Sequence, residues 1–512
     1  MLAAVLAATP AATLGLAVGG YVLVFGRLTW AQQSNFGTFG FDMGIYDQGI
    51  WLLSRFRAPF DTVRGLPFFA HHVNVIALAL VPLYWLGGGP HALYLVETLA
   101  LAAGAVPLWL LARDRLDGAA LGGAWLGVGL AASYLLYPSL EWINWWHFHP
   151  DALIITPLLF AWWLASRRRW GWFVAAVAVA LACKEDAALA VATLGVVLAI
   201  RGIRSGDQAG RRVGLLTMIA GAGWFLAAVK LIIPLAGRGR PPFYVAELFP
   251  GLGSSLGGII ANLVTHPSRF LSVAVRPDRL IYYGRLLAPV AFLPLVGLPA
   301  LLVGVPQTAV NVISAHPGTH DPRFHYTSIV LAAIFLGTVE ACPLLTRAAQ
   351  WAGRRAGNVR QLTLARWVPA GLVALVLAAS LWANVRWSPS PLSPNFHSGI
   401  WAQPQPRHAA MRRALRLVPP AASVTATYYL VPHLTHRTQI YEWPNPWIVR
   451  HWGVAGEDPP DPGTVRYLVV DTGLLGDGQA LYARLTGPGG PFRVIFDEQG
   501  IVVAVRAAPG PG

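Results

Sequence analysis

The chain alternates long apolar runs with short polar turns over most of its length. Apolar runs lie near 5–26, 70–86, 92–112, 119–138, 151–166, 171–183, 187–200, 213–235, 286–313, 326–345 and 367–386. Several carry almost no charge over the roughly 20 residues that a helix needs to cross a hydrocarbon core of about 30 Å. From 388 the pattern changes. Pro-rich 388–406 reads as a linker, and 407–506 alternates polar and apolar positions as a soluble domain does. Within it, 423–427, 466–470 and 501–506 read as strands and 407–417 as a helix, which predicts a small α/β domain. Residues 507–512 read as a disordered tail. The expected fold is mainly α: a polytopic α-helical membrane domain over 1–387 with about 9–11 membrane helices, some short or re-entrant, followed by the α/β domain.

Composition agrees. Of 512 residues, 55% are hydrophobic and 12% charged, about half the charged share of an ordinary soluble protein. A water-soluble enzyme and a disordered chain are both excluded. The net charge of +15 would point to nucleic acid in a soluble protein. Here the basic residues gather in short loops, at Arg113/Arg115, 167–169, Arg201/Arg204/Arg211/Arg212 and Arg347/Arg354/Arg355/Arg360/Arg366. The positive-inside rule puts such loops in the cytoplasm, so nucleic acid is not an expected partner. Arginine replaces lysine everywhere except at Lys184 and Lys230, as in a GC-rich bacterial genome. Cys183 and Cys342 lie in apolar segments and support neither a disulfide framework nor a metal site.

With those loops inside, 28–90, the hairpin tip 139–150, the turn 184–186, and 236–285 and 314–325 fall outside. Run 70–86 then lies along the outer surface, because it opens with His71, His72 and Asn74. Runs 171–183 and 187–200 span only about 20 Å each and read as a partly inserted hairpin. The 286–313 run, broken by Pro294, Gly297 and Pro299, splits into a second one. Span 367–386 exports the C-terminal domain.

This arrangement collects the scarce ionisable groups on one side. Asp42 and Asp47 follow the first span; five positions apart on a helix, they diverge by about 140°. Either suits a general base or a metal ligand, or a solvated loop with a capping Asp. His147, His149 and Asp151 fall within five residues at a hairpin tip, where the neighbouring tryptophans fit an interfacial belt. Lys184, Glu185 and Asp186 sit between apolar half-helices, where charge is costly and usually functional. His320, Asp321, Arg323, His325 and Tyr326 precede a span, and Arg with His suits a phosphate. The segment 432–437, with His433, Thr435 and His436, reads as a loop packed on the domain, with a site as the alternative. No nucleotide-binding loop and no HExxH metal motif is present.

Taken together, FDMGIYDQGIW at 41–51, HH at 71–72, FHPD at 148–151, KEDAAL at 184–189, HYTSIV at 325–330 and VPHLTHR, IYEWP and YLVVD at 431–471 resemble the domain-of-unknown-function 2079 family of predicted prokaryotic membrane proteins. The layout is similar to that of the GT-C glycosyltransferases. The resemblance implies a GT-C-like enzyme of the bacterial cytoplasmic membrane, its C-terminal domain extracytoplasmic. Such an enzyme transfers a sugar from a polyprenyl-phosphate donor to a cell-envelope glycan, lipid or protein acceptor. It implies a catalytic acid at Asp47 or Asp42, with Asp47 placed first. His71, His72, His147, His149, Asp151, Lys184, Glu185, Asp186, His320, Asp321, Arg323, His325 and Tyr326 would bind substrate and phosphate. A divalent metal, Mg or Mn, is left open, with Asp42, Asp47, His149 and Asp151 as candidate ligands. Two other readings stand beside this one: a lipid or solute transporter or flippase, and a non-catalytic envelope assembly protein.

Overall fold

The computed structural model describes residues 2–239, 248–449 and 460–507; all but the first residue of the expected tail lies outside them. Helices dominate. Among the described residues six helices are long and apolar enough to cross a membrane: Thr9–Ser34, Pro90–Arg115, Ala187–Ser205, Gln208–Ala236, His325–Arg355 and Val368–Trp387. Shorter apolar helices, Gly123–Leu135, Pro150–Ser166, Trp170–Cys183, Leu256–Thr265 and Leu298–Ile313, pack among them. The first helix leaves Leu16, Leu23 and Trp30 uncovered, as a lipid-facing helix does. His325–Arg355 is central and buries nearly every residue from Ser328 to Val339.

Two expectations change. The helix expected over 187–200 runs on to Ser205 and has 19 residues, enough for a full crossing. It passes its first arginine because the Arg201 guanidinium lies 4.3 Å over the Trp162 ring, where the aromatic face offsets lost hydration. The linker expected at 388–406 is packed down. Trp401 is fully buried and its indole donates to the Pro389 carbonyl at 2.8 Å. Gln32, at the end of the first helix, accepts from the Ala402 amide at 2.7 Å. The 286–313 run is broken into short helical pieces. Gly297 allows the break to seat on the central helix, since a Cβ there would stand 2.0 Å from the Gly337 carbonyl oxygen.

The segment after the first helix holds a helix Ile45–Ser54, a small hairpin of β1 (Phe60–Asp61) and β2 (Leu66–Pro67), and a non-spanning helix Ala77–Trp85. The C-terminal sheet has β3 (Val424–Ala426), β4 (Ile440–Glu442), β5 (Tyr467–Asp471), β6 (Phe492–Glu498) and β7 (Ile501–Arg506) in the order β4-β3-β5-β7-β6. β3 runs parallel to β4 and β5, while β7 is antiparallel to β5 and β6. Alternation along β5 sends Leu468 and Val470 against Leu481 and Leu485 of helix Gln479–Thr486. It sends Val469 to the other face, with Met411 and Ala414 of helix Arg407–Arg416. That second core also takes in Phe36, Ile45 and Val63 of the first loop. The C-terminal domain and the first loop therefore share one hydrophobic core.

Candidate active site

Asp42 lies on a single π-helical turn, Gly40–Gly44, that opens helix Ile45–Ser54; such turns often mark functional positions. Trp146 donates its indole N–H to Asp42 Oδ2 at 3.2 Å. His147 Nδ1 stands 3.6 Å from Oδ2 and His149 Nε2 3.4 Å from Oδ1. His149 Nδ1 lies 2.8 Å from the His147 carbonyl. A carbonyl only accepts, so Nδ1 carries the hydrogen and Nε2 faces the carboxylate. Burial alone would raise the Asp42 pKa, but the two histidines together hold it well below the usual carboxylate range.

The other expected groups continue outward from this pair. The His325 ring stacks on His149 with centroids 3.6 Å apart. Tyr326 lies 4.2 Å from the His325 ring, and Lys184 Nζ 5.7 Å from the Tyr326 ring. Lys184 donates to Asp151 Oδ1 at 2.9 Å and stands 3.6 Å from Asp186 Oδ2. Glu185 bonds His72 Nδ1 at 2.7 Å and accepts from the Val73 amide at 3.0 Å. His71 packs on His72 with rings 4.2 Å apart. Segments far apart in sequence thus meet in one buried polar cluster.

Some expected residues stand elsewhere. Asp47 points away from the cluster into the seam with the C-terminal domain. It accepts from Tyr84 Oη at 2.6 Å and from the Thr435 hydroxyl, and His436 Nε2 lies 3.2 Å away. Arg323 is half exposed and forked onto Asp321, with its guanidinium 5.8 Å over the Trp142 ring at the rim. His320 faces Arg279 Nη1 at 2.8 Å. Lys184, expected against a phosphate, already spends its charge on two carboxylates. The metal candidates divide: Asp47 is saturated in its own pocket and Asp151 holds Lys184. Among the described residues no group of three or more His, Cys, Asp or Glu is placed to hold a metal ion.

Several contributors were not singled out from sequence. Trp146 was read only as part of an interfacial belt, yet it sits inside the motif. Thr435 and His436, in the 432–437 segment already noted, and Tyr84, on helix Ala77–Trp85, reach Asp47, a role the sequence did not assign to them. Glu97 is fully buried and neither carboxyl oxygen has a hydrogen-bond partner. It was visible as an acid inside the 92–112 run.

A family profile described as predicted membrane protein (DUF2079) matches residues 34–450. Comparison with curated protein sequences finds no match. Among solved structures, the chain is similar to ArnT from Cupriavidus metallidurans bound to undecaprenyl phosphate. The TM-score is 0.50 at 13% identity, covering 96% of this chain and 99% of that one. It also aligns with the archaeal oligosaccharyltransferase AglB from Archaeoglobus fulgidus in complex with an inhibitory peptide and a dolichol-phosphate. There the TM-score is 0.40 at 10% identity, over 97% and 74% of the two chains. The ArnT likeness extends over nearly the whole of both molecules and shows that the two share a fold.

Proposed function

The chain belongs to the predicted membrane protein (DUF2079) family, and from that premise and its GT-C-like fold we propose that it is a membrane glycosyltransferase. It moves a sugar from a polyprenyl phosphate to a cell-envelope acceptor at the outer face of the bacterial cytoplasmic membrane, where the C-terminal domain also lies. The observation that carries this reading is the shell around Asp42. The carboxylate keeps one fifth of its surface exposed. The His325 ring stacks on His149, which faces this carboxylate, and His325 Nδ1 is buried with no hydrogen-bond partner. Buried polar atoms are normally paired, and an unpaired one beside a part-exposed carboxylate is what a bound polar head group would satisfy.

In this proposal an acceptor hydroxyl attacks the anomeric carbon and gives its proton to Asp42. The bond from that carbon to the phosphate oxygen breaks, and polyprenyl phosphate departs with the bonding pair. Attack opposite the leaving group inverts the sugar. A carboxylate held so far down is a weak base, so proton transfer comes late, once the acceptor oxygen has begun to bond. His325, stacked on His149, donates from Nδ1 to the departing phosphate. Lys184 keeps Asp151 and Asp186 in place and does not meet the phosphate directly. Arg323 guards the rim. No step requires a metal ion.

The test is purified protein in nanodiscs with a panel of radiolabelled polyprenyl-phosphate hexoses and pentoses. Transfer of label, or release of polyprenyl phosphate, is expected for at least one donor and is lost in Asp42→Asn. Absence of both turnover and binding across the panel would overturn the reading. Comparison of envelope glycans with and without the gene identifies the acceptor.

A further inference from the structure

The C-terminal domain grips the segment that carries Asp42 at both ends. On one side the Gly40 amide donates to the Tyr428 carbonyl at 2.9 Å. The fit there is close: a Cβ on Gly40 would stand 2.9 Å from Val431 Cγ1 and from Glu442 Oε2. On the other side Asp47 takes the Thr435 hydroxyl on one oxygen, with the His436 ring beside it and Tyr84 on its second oxygen. The next residue, Gln48, donates to the Arg437 carbonyl at 3.2 Å and to Thr62 Oγ1 at 2.9 Å. Thr62 Oγ1 in turn donates to the Ile440 carbonyl at 2.7 Å and accepts from its amide at 2.9 Å. Ile440 lies on β4, the outer strand of the sheet, so Thr62 covers an edge that would otherwise be open. Between these holds lies the π-helical turn with Asp42.

We infer that Asp47 is a positioning residue: it is the anchor through which the C-terminal domain fixes the turn bearing Asp42, making that domain part of the active site. The carboxylate of Asp47 is fully buried and already holds a hydroxyl donor on each oxygen, so it lacks the exposure that a base acting on substrate needs. Its acceptors serve Thr435, 388 residues away in sequence. A buried carboxylate that receives hydroxyl hydrogen bonds is costly to leave unpaired. Losing Thr435 therefore weakens the grip at its tightest point and lets the Asp42 turn open locally.

The kinetic half of this inference rests on the glycosyltransferase reading; the structural half does not. The experiment uses full-length protein in nanodiscs and reads hydrogen exchange over residues 39–54 together with kcat and donor KM. Thr435→Val is expected to speed exchange of amides 40–48 about tenfold or more, the size of one lost hydrogen bond to a charged group. It is expected to lower kcat by a similar factor, with donor KM within about twofold, since only the position of Asp42 changes. Thr435→Ser, which keeps the hydroxyl, should restore both. Unchanged exchange in Thr435→Val and in Asp47→Asn would overturn the anchor. So would an Asp47→Asn that loses as much turnover as Asp42→Asn while exchange stays at the wild-type rate, because Asp47 would then be the base. If wild type turns over no donor, the proposed reaction fails, yet the exchange measurement still decides the anchor.

Discussion

Asp42 and Asp47 stand five positions apart at the start of one helix, and their surroundings differ in kind. Asp42 faces two imidazoles and an indole, keeps part of its surface open, and lies one stacked ring from the unpartnered His325 Nδ1. Asp47 is fully buried, with a donor on each oxygen and a histidine alongside. The helical period sends the two side chains to different neighbours, one into the membrane domain's polar cluster and the other into the C-terminal domain. The same residue type is thus an unfinished site in one place and a finished joint in the other. Substituting each in turn is the sharpest way to break the comparison. Asp42→Asn should cost about 10³-fold in transfer with little change in thermal stability. Asp47→Asn should cost less turnover and visibly lower the melting temperature. The reverse ranking would exchange their roles.

Lys184 offers the next largest effect. Its ammonium is buried against Asp151 and Asp186. Removing one member of such a set leaves uncompensated charge, which typically costs about 3–5 kcal/mol. Lys184→Met should therefore lower thermal stability strongly, and donor affinity only as a consequence. A Lys184→Met, Asp151→Leu double variant should recover much of the loss, because the stranded carboxylate is gone. If Lys184→Met instead keeps its stability and loses donor binding alone, the lysine does meet the phosphate. A smaller effect is expected at His325, whose free Nδ1 is the proposed donor to the leaving group. His325→Ala should slow turnover by about 10²-fold, measured as polyprenyl phosphate released, and leave melting nearly unchanged.

These expectations also mark what the sequence made legible. Charge is so scarce in this chain that each His or Asp carried information. The arginine clusters, the proline breaks and the polar start of the 70–86 run together put Asp42, His72, His149, Asp151, Lys184 and His325 on one face, and the structure joins them through short contacts. Which aspartate does what was not legible. The choice depends on Thr435, in the C-terminal domain, and on Tyr84, on helix Ala77–Trp85, whose approach to Asp47 is set by tertiary packing and has no local pattern. The neutralisation of Lys184 by Asp151 was hidden for the same reason. β6 was missed because Phe492–Glu498 is mostly exposed and lacks a buried alternation. The segment 388–406 looked like a linker because its prolines break regular structure. Its anchorage comes from Trp401 and from Gln32 of the first helix, which composition cannot reveal.

The smallest effect concerns pH, and it probes the finished joint from both directions. His433 is buried beside Phe36, ring centroids 4.2 Å apart. Burial, aided by His91, His408 and Arg412, pushes its pKa down from 6.5 to about 3. A histidine depressed in the folded state contributes stability that is present above the unfolded value and is lost as pH falls from 6.5 toward 3. His436 moves the other way. Burial lowers its pKa, but Asp47 more than offsets this, and Arg55 and Arg437 oppose it only weakly, so the result is raised. Its contribution is complete below 6.5 and is lost as pH rises through the elevated folded value. The grip on the Asp42 turn should therefore be tightest near pH 6.5 and loosen on either side. Exchange rates of amides 40–48 measured from pH 4.5 to 8.5, corrected for intrinsic exchange, read this directly. His433→Gln should flatten the acid limb alone, and His436→Gln the alkaline limb alone. An acid limb that survives in His433→Gln would mean that another group, with His408 and His91 the nearest, governs the joint.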